Sequence, residues 1–346
     1  MNPLWDAANV RARGLATHLL DRETLVEASA AGTWPLAARI LVERGYPMLG
    51  EEARWSPEEF ERASGGVLGR RLEVLAPWLG RGLGALAVIY EDEERKTLRV
   101  LLRGAAQGAS AGARLRGLFP TTALPQRALE RLARAESPLE LADLLVRMGH
   151  PTGRSLRAAA AGTAGAPSEA PALWRMELAL SRVFAVRATR AARRAGRAVR
   201  RFAGLLIDLE NAWTLLLAGA WGPGVAPDHV FLPGGVLLDR ARFARLAGLG
   251  GRERVLEALA GRFARTPLGE VFQITPWDSG SFESRALGAL LRWQRGEGRR
   301  DPSGPGVLLW VMQRCRAEAH DVRLVSAAQR LGAPADLVRA ALVTPS

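Results

Sequence analysis

The stretch LLIDLENAWTLLLAGAW, Leu205 to Trp221, decides the fold class, because its pattern returns in weaker form three more times along the chain. Leu205, Leu206, Leu209, Trp213, Leu216 and Leu217 fall at helical spacing, with Asp208, Glu210 and Asn211 on the other side or next to the seam, so the stretch reads as an amphipathic helix. Aligned on Asn211, NAWTLLL is echoed by NVRARGL at Asn9, RKTLRVL at Arg95 and DVRLVSA at Asp321. The intervals are 86, 116 and 110 residues, too long for the common solenoid repeats, and they predict a few large helical modules.

Composition agrees. Apolar residues make up 48% and aromatic ones only 6% of the 346, and Ala, Leu, Arg and Gly dominate, which favours helix over strand. An all-α fold is expected. The net charge of +13 would ordinarily point to a polyanionic partner, but Lys96 is the only lysine, as a GC-rich coding bias would produce, so part of that charge is genomic. Cys315 stands alone and allows no internal disulfide. The N-terminal MNPLWDAANVRAR has no apolar core of a signal peptide, and no window reaches the 18 or so uncharged apolar residues of a spanning helix, so the chain reads as one that works outside the lipid.

Taken in order, Trp5 to Leu20 reads as a first helix, followed by a helix pair that Asp21 caps and Gly32 to Pro35 breaks. Ser56, Pro57 and Glu59 open an interrupted helix, and Leu83 to Arg103 carries the second copy of the repeated helix before a loop from Gly104 to Thr122. Leu124 to Pro151 matches Asp21 to Pro47 in apolar spacing and in its closing Gly-x-Pro, with Leu129 where Leu25 stands. Ala158 to Pro171 reads as a flexible loop, and Leu173 to about Ala218 as one long helix. LPGG at Leu232 to Gly235 precedes a third pair, Leu237 to Phe263, then a loop near Pro276 and a helix from Phe282. A break at Gly296 to Gly306 leads to the last long helix, Val307 to Leu331, and a short one, Pro334 to Leu342. The expected modules are residues 1–116, 117–225 and 226–346.

Four stretches together carry a family resemblance: ANVRARGLATHLL from Ala8, RFAGLLIDLENAWTLLL from Arg201, FLPGGVLL from Phe231 and AEAHDVRLVSAAQRLGAPADLVRAAL from Ala317. The chain resembles the C subunit of the V-type (A-type) rotary ATPases, the relative of the d subunit of the eukaryotic enzymes, over nearly its whole length; Asp321 stands where Asn is usual, and Arg95 departs further. The resemblance implies a funnel of three pseudo-threefold modules, peripheral on the cytoplasmic face, that seats on the membrane rotor ring and receives the central stalk. It implies a coupling part for ATP-linked ion translocation, without catalytic residues or cofactor.

Chemistry-bearing alternatives are weak. With Lys96 alone, and Arg95 before it, no phosphate-binding G-x-x-x-x-G-K-[ST] loop can be formed. GASAG, Gly108 to Gly112, matches the nucleophile-elbow pattern, but a helix and an Ala/Gly loop flank it instead of strand and helix. His18, His150, His229 and His320 are scattered without ligand spacing, so no metal is expected. Asp208 and Glu210, two apart, point to different sides of a helix; one of them could pair with Arg200 and Arg201.

Arg187, Arg190, Arg194, Arg197 and Arg201 step by 3, 4, 3 and 4 and would draw one stripe along a helix face, widened by Arg193 and Arg200. Such a stripe is either a solvated face or a contact strip, and as a contact strip it suits an acidic stalk surface better than anionic headgroups. A different class, a helix-turn-helix DNA binder, is offered by Val325 to Leu342 folded around Gly332, with Asp336 and Arg339 as the only polar readers.

Overall fold

The computed structural model describes residues 3–48, 55–161, 170–217, 225–273 and 279–345. Every regular element among them is helical. The helices are α1 (Pro3–Ala16), α2 (Arg22–Ala30), α3 (Trp34–Glu43), α4 (Pro57–Glu73), α5 (Leu83–Ala106), α6 (Ala111–Arg114), α7 (Gln126–Ala133) and α8 (Pro138–Arg147). They continue with α9 (Gly153–Ala161), α10 (Ala170–Ala192), α11 (Arg197–Leu216), α12 (Arg240–Ala247), α13 (Arg252–Phe263), α14 (Ser279–Arg300), α15 (Gly306–Leu331) and α16 (Ala335–Ala341). Contacts gather the chain into two compact units: 1–86 with 116–119 and 274–346, and 87–115 with 120–273.

In the first unit, α15 is the central element, packed against α1, α2, α4 and α14 and buried along most of its length. Its Val322 and Val325 join Leu25, Leu41, Tyr46 and Phe60 in the core. Phe60 stacks on Tyr46 at 5.7 Å and meets Trp34 edge-on at 5.0 Å, arrangements that suit the aromatic quadrupole. Cys315 is buried here, and burial pushes its thiol up to about 12, so it is an inert apolar side chain.

In the second unit, α11 is buried nearly all round: Val199, Phe202, Leu205, Ile207, Ala212 and Leu215 are core residues, and so are Asp208, Glu210 and Asn211. The two-faced reading of this helix is therefore corrected. Trp213, placed in the apolar seam by its phase, is only half-buried, as is Leu217.

The helix starts follow their caps. Asp21, Ser56, Ser137 and Asp239 each accept from the backbone N–H three residues on, that of Thr24, Glu59, Glu140 and Arg242. The matched pairs are also observed: α2/α3 and α7/α8 both end on a glycine of positive φ, Gly45 and Gly149, with Tyr46 and His150 buried behind it. Leu25 and Leu129 are both fully buried.

Several boundaries are corrected. The first helix stops at Ala16, because Leu20 is drawn into a tertiary hydrogen bond. The expected loop after Arg103 contains the end of α5 and the short α6, and α9 reaches Ala161 into the expected low-complexity loop, of which residues 162–169 lie outside the described set. The loop near Pro276 also lies outside it. The break expected from Gly296 is shorter, since α14 runs on to Arg300. The long helix from Leu173 is two helices, parted at residues 193–196, where Gly196 takes φ of 93°, a left-handed conformation that ends α10 and caps α11.

Candidate functional site

That parting decides the geometry of the arginine stripe. Arg187 and Arg190 sit on α10, Arg194 in the turn, and Arg197 and Arg201 on α11, so the five do not share one helix face. They form an elbow instead. Arg187 is half-buried and paired with Glu91 at 2.6 Å. Arg190, Arg193, Arg194, Arg197, Arg200 and Arg201 are exposed, and Arg200 donates to the Arg193 carbonyl at 3.2 Å. Among the described residues, no carboxylate pairs with Arg190, Arg194 or Arg197. From Glu177 to Asp208 the chain has eight arginines and no acid between, so the elbow presents one sign of charge.

A largely buried ionic ladder, which the sequence reading missed, ties α5 to α10 and α11. Arg95, Arg99 and Arg103 follow one another at four-residue spacing on α5. Arg95 reaches Glu210 Oε1 at 2.5 Å and Asp92 at 2.7 Å. Arg99 reaches Glu210 Oε2 at 2.7 Å and Ser181 Oγ at 3.0 Å. Arg103 holds Glu177 bidentately, at 2.6 and 2.8 Å. Burial alone would push Glu210 up, but Arg95 and Arg99 hold it down at about 2. Glu210 thus pairs with α5 and not with Arg200 or Arg201 as expected. The available signal was three arginines at four-residue spacing, Arg95, Arg99 and Arg103, on one face of a helix.

The repeated helix has a local task. On α11, Asp208 accepts from the backbone N–H groups of Val236, Leu237 and Leu238 at 2.8, 2.8 and 3.0 Å, and burial pushes it up to about 6 against those donors. Asn211 bonds Leu232 in both directions, donating to its carbonyl and accepting from its N–H, each at 2.9 Å. The LPGG turn is shaped for this, since a Cβ on Gly235 would lie 2.1 Å from Asp208 Oδ1. On α15, Glu318 accepts from Leu20 N–H at 2.9 Å and Asp321 from Val343 and Thr344. On α5, Glu94 accepts from Thr121 Oγ1 at 3.1 Å, whose hydroxyl oxygen accepts from Leu124 N–H at 2.9 Å.

Leu20, Leu124 and Leu238 each stand one residue before the cap of a helix pair. The repeated helix therefore supplies an acid that fixes the entry to each pair, directly or through Thr121. On α1, Asn9 donates to the carbonyls of Pro302 and Gly304 at 3.2 and 2.9 Å.

The other candidates resolve simply. Ser110 of GASAG caps the four-residue α6, with no strand before it. His150 bonds Glu94 at 3.1 Å, and His320 lies between Ser284 and Asp321, both at 2.9 Å. No three His, Cys, Asp or Glu among the described residues gather as metal ligands. Asp336 and Arg339, the proposed base readers, are on a seven-residue helix and lie 4.0 Å from each other, and Arg22 bonds the Arg339 carbonyl. Nothing there favours DNA. No helix among the described residues is long and apolar enough to cross a membrane.

Buried ion pairs and carboxylates spent on backbone N–H groups define a structural, all-helical scaffold. Its family follows from comparison with known proteins: the family described as ATP synthase (C/AC39) subunit matches residues 8–341, and the chain belongs to it. The C subunit of the V-type ATP synthase of Thermus thermophilus, in each of two strains, is 31% identical over 267 residues, 77% of this chain and 76% of that one. Its counterpart in Deinococcus radiodurans, also the C subunit of a V-type ATP synthase, is 26% identical over 338 residues, 96% of this chain and 89% of that one. Membership makes the chain a structural subunit and not a catalytic one.

Proposed function

We propose that the chain is the non-catalytic coupling socket of a V-type ATP synthase, seated on the membrane rotor ring at the cytoplasmic face and receiving the central stalk. It acts through three related helical modules, with boundaries near residues 116 and 225. The observation that carries this reading is the repeated clasp, in which α5, α11 and α15 each fix the leucine that opens a helix pair. A part that transmits torque must not wind up, and helices cross-tied by buried hydrogen bonds and ion pairs resist that better than packing alone. The exposed elbow is the contact strip, suited to carboxylates of a stalk protein because guanidinium binds them bidentately.

Co-purification from native membranes tests the assignment: the chain should come down with the catalytic and ring subunits, and recovery free of them overturns it. Arg190→Gln, Arg194→Gln and Arg197→Gln together should weaken assembly or ATP-driven ion pumping without loss of helix content. Unchanged assembly and pumping would return the elbow to a plain solvated surface. Pelleting of the isolated chain with acidic vesicles, reversed by salt and lost in that triple variant, would assign the elbow to lipid instead.

A further inference from the structure

The first unit contains a cavity of about 340 Å³ walled by Arg13 of α1, Gln294, Arg295 and Arg299 of α14, and Val307 and Trp310 of α15. Its walls are fixed from below. Asn9 and, one turn on, Arg13 both donate to the Pro302 carbonyl at 3.2 Å, tying α1 to the connection between α14 and α15.

Three guanidiniums converge here, and none of the described lining residues is acidic. Among the described residues, Arg295 and Arg299 have no ion-pair partner. Two further donors face the same problem. Gln294 is 1% exposed, yet its Nε2 has no acceptor, and neither has the buried Nε1 of Trp310. Buried N–H groups almost always have partners, so orphaned donors on one cavity, beside unpaired cations, describe a place for an acceptor. Val307 belongs to the first turn of α15, where backbone N–H groups lack intrahelical partners and the helix end is positive. The remainder of the wall, the Val307 side chain and the Trp310 ring, is apolar.

We propose that this cavity binds a phosphate oxyanion carried on a small organic body, with Arg295, Arg299 and Arg13 pairing its oxygens, Gln294 and Trp310 donating to them, and Val307 and the indole ring packing on the carbon skeleton. The volume is that of an ordinary small-molecule site. An acidic phospholipid headgroup and a soluble organic phosphate both have this chemistry. The site belongs to the isolated chain and does not depend on the assembly reading.

Titration calorimetry on the full-length chain tests it with three probes: inorganic phosphate, glycerol 3-phosphate, and dioctanoyl phosphatidate below its micelle concentration. Saturable binding at one site is expected, at least tenfold tighter for an organic phosphate than for inorganic phosphate. Phosphatidate alone binding tightly identifies the lipid source, and glycerol 3-phosphate binding equally well identifies a soluble one. Arg295→Gln with Arg299→Gln should weaken binding at least tenfold, with the melting temperature of the free chain unchanged. Should that pair alter folding, Arg299→Glu at its exposed position gives the same reading alone. No saturable binding of any probe, or binding indifferent to these changes, overturns the proposal.

Discussion

On α11 and α15 the same two positions, three residues apart, hold backbone with different atoms. Asn211 meets a residue that turns both its C=O and its N–H toward it, and a side-chain amide has an NH2 to donate and a C=O to accept in answer. Asp321, at the equivalent position, meets the N–H groups of Val343 and Thr344, at 2.9 and 2.7 Å, and a carboxylate accepts both. Three residues earlier, Asp208 holds three N–H groups, whereas Glu318 holds one, Leu20, and spends its other oxygen on Arg71 at 3.0 Å. The repeat preserves the task and lets the polarity of the facing backbone choose the residue. Departure from the usual Asn is thus no decay of the motif at Asp321.

Position 210 against position 320 should give the largest contrast. Glu210→Ala leaves the Arg95 and Arg99 guanidiniums buried without their carboxylate, an expected loss of roughly 3–5 kcal/mol in urea unfolding. His320→Ala, at the matching place on α15 but partly exposed, should cost less than about 1 kcal/mol. Equal effects would break the comparison.

Exchanging the clasps comes next. Asn211→Asp sets a carboxylate oxygen against the Leu232 carbonyl, and Asp321→Asn turns an amide NH2 toward an N–H; each should cost about 1–3 kcal/mol. A neutral result for either shows that the facing backbone does not select the residue.

The two helices should also respond oppositely to pH. Glu210 is held at about 2 in the fold against an ordinary 4.5, so the unfolded chain binds more protons between those values. Its contribution is complete above about 4.5 and is lost as pH falls toward 2. Glu318 is pushed up by burial, against Arg71, from 4.5 to about 7, so the folded chain binds more protons there and its contribution fades as pH rises from 4.5 through 7. Unfolding free energies measured across pH should lose the acid limb in Glu210→Gln and flatten between pH 4.5 and 7 in Glu318→Gln. Unaltered slopes would contradict both assignments.

Trp213 supplies the last comparison. Half-buried beside Trp174 and Leu217, it should cost about 1–2 kcal/mol on change to Ala, below the 3–5 kcal/mol or so of the fully buried Phe202 on the same helix. A loss at Trp213 equal to that at Phe202 would place it in the core after all.

The sequence by itself determined the helical class, the caps at Asp21 and Ser56, the matched pairs ending in Gly45 and Gly149, and the family, because periodicity, capping and repeated motifs are local and survive without knowledge of what packs where. It placed Asp208 and Glu210 away from the apolar seam or at its edge because hydropathy assumes that a charge seeks water. Tertiary structure alone decided otherwise: Arg95 and Arg99, more than a hundred residues away in the chain, make burial of Glu210 tolerable, and the backbone at 236–238 does so for Asp208. The break at Gly196 belongs to the same class, since eight arginines and many alanines favour unbroken helix, and one glycine at positive φ turned a straight stripe into an elbow.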